Sequence, residues 1–230
     1  AGTQCFLLTG DRNYLELPRN QLRKVMAEGK VANFDDLHMS LKHHWTAQFK
    51  ALGDQKESWV VPYRYADSGW FDWQPLAPMY PLTLWNVSGD DVDLEMVETI
   101  REKETYDWSQ VFSFHSKEDA GHEQPWFAYI KGDNPDYPEQ ILQASLAQVY
   151  KRMEQIRQDE TDPRDNHIHW WQHLNPVTTE ALIQLTLGAP QLLYNGGLLL
   201  APLRYFDAGK KRPGLPPDVG ALVETVSHDQ

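Results

Sequence analysis

The feature that most restricts the fold of this chain is a recurring order of apolar segment, Gly-Asp turn and acid-opened helix. It occurs at Gly10-Asp11 with Leu15-Glu16, at Gly89-Asp90 with Leu94-Glu95, and at Gly132-Asp133 with Pro138-Glu139. Tyr14 and Tyr137 take matching places after their turns. The last two turns are 43 residues apart and the first two 79, with Gly53-Asp54 between them. Gly supplies the left-handed residue that closes a helix, and a short acid suits the start of the next. A spacing of ~40–50 residues with two helices per unit belongs to stacked helical hairpins.

Periodicity supplies the helices. Leu15, Leu17, Leu22 and Val25-Met26 form one apolar face, with Pro18 in the first turn. Phe34, Leu37, Leu41, Trp45, Phe49 and Leu52 predict an amphipathic helix over 33–52. Helices are expected over 76–87 and 94–101, and a short apolar one over 125–130. Ile141, Leu142, Leu146, Val149, Met153 and Ile156 mark the clearest helix, running to about Gln158, and Asn175-Pro176 opens another. Only Trp59-Val-Val-Pro-Tyr-Arg-Tyr65 reads as extended, being β-branched and aromatic. Residues 67–75 read as a loop.

The chain resembles the α/α-toroid, or six-hairpin glycosidase-like, superfamily. Its hairpins are often written inner helix, tGD-x-x-Y-L-e turn, outer helix, as in Thr9-Gly-Asp-Arg-Asn-Tyr-Leu-Glu16. The likeness runs over roughly residues 1–200 and stays at superfamily level, since no family's catalytic motif is matched. It implies a mainly α molecule of helical hairpins in a full or partial toroid. The ring normally takes about a dozen helices, more than this chain supplies. The expectation is therefore one domain over 1–230 as a truncated ring, an open arc or one subunit of a homo-oligomer that completes the ring. The opening residues look like the tail of a helix, so first hairpins are expected to precede the sequence.

Composition narrows the function. A net charge of -12 argues against nucleic acid and anionic membranes as partners. No apolar run nears the ~20 residues that span a bilayer. The single Cys5 leaves no intramolecular disulfide and no cysteine zinc site. No Rossmann fingerprint, P-loop or nucleophile elbow occurs, and no cofactor is expected. Aromatics are abundant, with nine Trp, and many sit beside polar residues. That pairing suits an oligo- or polysaccharide, whose rings want an apolar face and polar edges.

Toroid geometry would bring three loops to one hollow: Tyr65, Trp70, Asp72 and Trp73; His122, Glu123 and Trp126; His169, Trp170 and His173. Glycoside hydrolysis needs two carboxylates across a groove, one held protonated. Glu123 and Asp72 are the candidates, and His122 or His169 with Tyr65 would serve a lyase instead. The remaining aromatics and His169 and His173 would bind substrate. The expected activity is that of a glycoside hydrolase or polysaccharide lyase. The alternatives are a non-catalytic carbohydrate-binding or scaffolding domain and a His-based metal enzyme. Glu123 is equally suited to capping its helix, and the Trp residues to packing between hairpins.

Overall fold

The computed structural model describes residues 2–40, 51–111 and 123–165, together with 174, 175, 181, 185, 206–207 and 212–213. Helices α1 (Gly2–Thr9) and α2 (Asn13–Ala27) form a first hairpin. Strand β1 (Lys30–Asn33), a 3-10 turn (Phe34–Asp36), β2 (Glu57–Ala66) and β3 (Gly69–Gln74) follow. A second hairpin is α3 (Met79–Ser88) with α4 (Asp91–Lys103). A third is α5 (Glu123–Ile130) with α6 (Tyr137–Gln158). Two short strands, β4 (Phe206–Asp207) and β5 (Arg212–Pro213), pair with each other.

All three Gly-Asp turns separate the two helices of a hairpin, and their glycines take the left-handed conformation, with φ of 73°, 69° and 85°. The aspartates act differently. The Asp11 carboxylate accepts the Asn13 amide at 2.9 Å. Asp90 instead receives Arg12 of the first hairpin, and Asp133 receives Arg101 of the second at 2.9 Å. Two of the turns thus clip each hairpin to the one before it. Arg19 strengthens the first junction with a two-pronged contact to Asp93, 2.8 Å and 2.6 Å, and further contacts to Asp90 and Glu16. Asp93 is fully buried and also accepts the Ser88 hydroxyl.

The mainly α, toroidal expectation is wrong. A three-stranded antiparallel sheet, in order β1-β2-β3, stands in the chain between the first and second hairpins. The molecule is mixed α and β. The fourth Gly-Asp, Gly53-Asp54, follows a helical Ala51-Leu52 but leads into β2 rather than a second helix. The predicted helix over 33–52 fails at its start. Asn33 closes β1, and its side chain accepts the Asp35 amide to cap the 3-10 turn. The supposed loop at 67–75 is mostly β3, turning back along β2 through Asp67-Ser68.

The sheet belongs to the core. Residues 58–62 of β2 are buried on both faces. Trp59 and Val61 join Leu82, Trp85, Val97, Ile100, Phe127 and Ile141 in the main cluster. A second cluster of Phe34, Met39, Leu52 and Val60 lies against Tyr106 and Trp73. A third links Leu15 of α2 to Leu84 and Met96 of the second hairpin. Gly29 makes one close approach possible: a Cβ there would stand 2.5 Å from the Trp59 ring.

Candidate functional site

The outer half of the β2–β3 hairpin is the exposed half of the sheet. Residues 63–66 of β2 are exposed, unlike the five before them. Tyr63 and Tyr65 alternate onto one face, as a period of two requires. Tyr65 stands opposite Trp70 in the register. The two rings meet edge to face, centroids 5.0 Å apart, and Tyr65 remains 69% exposed. Such a contact fixes a ring without covering it. The Arg64 guanidinium lies 5.6 Å from the Tyr63 ring centre, and the Lys30 ammonium 3.9 Å from that of Trp73. Trp73 is thereby half-covered and roofed by a cation.

Asp72 interrupts this hairpin. Its φ of 60° is the one positive value at a described non-glycine residue, a conformation Asp tolerates better than most. The ladder pairs Pro62 with Trp73 and Arg64 with Phe71 but skips the position between. The carboxylate is only 1% exposed. It accepts the Ser40 amide at 2.7 Å and the Ser40 hydroxyl at 2.6 Å. His38 Nδ1 stands 3.3 Å away and Arg64 Nε 3.2 Å. Burial alone would raise its pKa. The Ser40 hydrogen bonds, then Arg64 and His38, outweigh burial and hold it below the usual carboxylate range. Asp72 is therefore ionised and fixed, so of the two candidate carboxylates it is not the one held protonated. It anchors residues 38–40 against β3, helped by the Trp73 amide donating to the His38 carbonyl at 2.9 Å.

The raised-pKa carboxyl is elsewhere, at Glu104, just past α4. Burial pushes its pKa up to about 8, against smaller opposing contributions from Tyr106 and Trp108. Trp108 Nε1 donates to one oxygen at 2.9 Å. The other has no hydrogen-bond partner among the described residues. Gln124 of α5 donates to the Tyr106 hydroxyl at 2.9 Å. The Tyr106 hydroxyl is pushed well above its ordinary pKa, first by burial and then by Glu104. This group carries a proton at neutral pH inside the core. Sequence reasoning missed it, because one Glu in a polar helix end has no distinguishing pattern. The only available signal was Glu-Thr-Tyr-Asp-Trp, an acid with two aromatics directly after a helix.

The other candidates divide. Glu123 is buried at the start of α5, next to Gln124. Trp126 is buried in the main cluster, so it packs the core rather than facing a groove. Tyr65, Trp70, Asp72 and Trp73 come together on the hairpin. His122, His169, Trp170 and His173 lie outside the described residues, as does the meeting of the three loops. No three His, Cys, Asp or Glu among the described residues are grouped to hold a metal ion. No helix among them is long and apolar enough to cross a membrane.

A family model described as a domain of unknown function (DUF8034) matches residues 1–183, and the chain belongs to that family. No curated protein and no solved structure matches it.

Proposed function

We propose that this protein is carbohydrate-active and holds its glycan on the aromatic face of the β2–β3 hairpin. The observation that carries the reading is Tyr65, a largely exposed ring fixed edge-on by Trp70 beside the Arg64–Asp72 pair. A pyranose face would stack on Tyr65 and Tyr63, and Arg64 would donate to ring hydroxyls or an acidic sugar's carboxylate. Rings already locked in place cost little ordering entropy on binding. The surface suits recognition, and Asp72 serves it by holding Arg64 and the 38–40 segment.

Titration calorimetry against a panel of neutral and acidic oligosaccharides tests recognition. Tyr65→Ala is expected to weaken the best binder at least ~10-fold, the equivalent of about 1.4 kcal/mol. Equal binding by wild type and Tyr65→Ala, or no binder in the panel, removes the proposal. Assays for reducing ends and for unsaturated products, with Glu104→Gln and Glu123→Gln alongside, decide whether chemistry accompanies binding.

A further inference from the structure

Helix α6 is buried the wrong way round. Its covered face carries Tyr137, Ile141, Ser145, Gln148 and Arg152, three of them polar. Leu142, Leu146, Tyr150, Met153 and Ile156 are left exposed, Leu146 by 54% and Tyr150 by 65%. A surface helix normally does the reverse. The polar side is tied down by specific contacts, among them Arg152 donating to the Asn175 carbonyl. So the helix is not free to roll over and hide its leucines.

Four of these exposed residues and the half-buried Val149 form one stripe. Leu142, Leu146, Val149, Met153 and Ile156 are spaced four, three, four and three apart. That spacing lets one helix pack along another. The seam is also charged in a way that selects its partner. Glu139 and Arg157 flank it at opposite ends, eighteen residues apart, which is about five whole turns. They therefore lie on the same side of the stripe. If a second α6 runs antiparallel along the first, each Glu139 meets the other's Arg157, twice by symmetry. In a parallel pair the two Glu139 would lie on opposite sides of the seam, and neither would meet Arg157. Antiparallel packing also opposes the two helix dipoles favourably. Neither charge is locked away, since Glu139 has only the Gln143 amide, and Arg157 a 3.4 Å contact to Glu154.

We propose that the exposed stripe of α6 is a docking surface for a second copy of this chain, packed antiparallel through Leu142, Leu146, Val149, Met153 and Ile156. Sedimentation equilibrium of the full 230-residue chain tests this. Wild type is expected as a concentration-dependent dimer. Leu146→Glu and Met153→Glu, both at exposed positions, are each expected to weaken association by ~100-fold or more with unchanged circular dichroism, because a carboxylate would be buried in the seam. Arg157→Glu is expected to weaken it, and Glu139→Arg added to Arg157→Glu to restore it. A wild type that stays monomeric overturns the proposal, and the stripe would then belong to another partner or to another part of this chain. Dimers indifferent to Leu146→Glu and Met153→Glu overturn it as well. Failure of the doubly reversed variant to recover overturns the antiparallel arrangement.

Discussion

Three carboxyls pull the pH dependence of stability in opposite directions. Asp72 and Asp90 have lowered pKa values, because hydrogen bonds and guanidinium groups outweigh their burial. Their contribution is present above the unfolded carboxylate range and is lost as pH falls through the folded values. Glu104 has a folded pKa of about 8, well above its unfolded value. Its contribution is complete at low pH and disappears as pH rises from about 4.5 to 8. Denaturant midpoints should therefore fall on both sides of mildly acidic pH. Glu104→Gln, which retains an acceptor for Trp108, should flatten the alkaline limb, by up to about 5 kcal/mol, while leaving the acid limb intact. An alkaline limb unchanged in that variant would show that Glu104 ionises freely. At Asp72, Asn keeps an acceptor and tolerates positive φ, whereas Ala keeps neither. Chemical denaturation should give a loss of about 1–2 kcal/mol for Asp72→Ala and less for Asp72→Asn. Sequence drew attention to Asp72 through its neighbours Trp70 and Trp73, but left open which of Asp72 and Glu123 would be the protonated acid. The sign depends on Ser40, thirty-two residues away, and no local pattern announces that partner.

Among the elements, those whose pattern repeats locally are the ones the sequence located. The Gly-Asp turns close α1, α3 and α5 as their glycines demand, and the long periodic run becomes α6. Of the sheet, the Trp59–Tyr65 run of β2 was legible as extended, while β1 and β3 escaped because their evidence is not local. Phe34, Leu37 and Leu41 carry helical spacing, yet Phe34 is buried by Leu52 and Val60 from β2 and the segment before it. Tertiary packing overrode propensity there. The junctions of elements were equally hidden. Nothing near Arg19 shows that Asp93, seventy-four residues on, will close around it. Arg19→Ala would leave Asp93 buried with Ser88 as its chief remaining support. Chemical denaturation should show a loss of about 3–5 kcal/mol, the range for removing one partner from a buried pair. Arg101→Ala should cost under about 1 kcal/mol, because its pair with Asp133 is half in water. A similar loss at both sites would mean that the two clips are equally deep. Gly29→Ala probes a different junction, where α2 passes into β1 beneath Trp59. The added methyl must displace the indole, and overpacking of that kind costs about 1–3 kcal/mol.

At the scale of the molecule, the question is whether hairpins and sheet unfold together. The three apolar clusters are not separate islands. Tyr106 packs against both the main cluster and the one beneath β2. Met26 packs against both the main cluster and the one joining α2 to the second hairpin. Each is half-buried, so each is a thin bridge rather than a core centre. A stack of helical hairpins would unfold unit by unit, with each repeat answering only to its neighbours. A sheet whose central strand lies inside the helical core instead couples elements far apart in sequence. Unfolding followed by tryptophan fluorescence and by far-UV circular dichroism should then give coincident transitions, because Trp59 reports the sheet and Trp85 and Trp108 the helices within one cluster. Met26→Ala should lower the midpoint of both signals together, by about 1–3 kcal/mol, at the low end for a methionine because the side chain is only partly covered. Transitions that separate in wild type, or a Met26→Ala variant that moves one signal alone, would mean that the first hairpin folds on its own. The sheet would then be an insertion between independent hairpins, not the element that binds them.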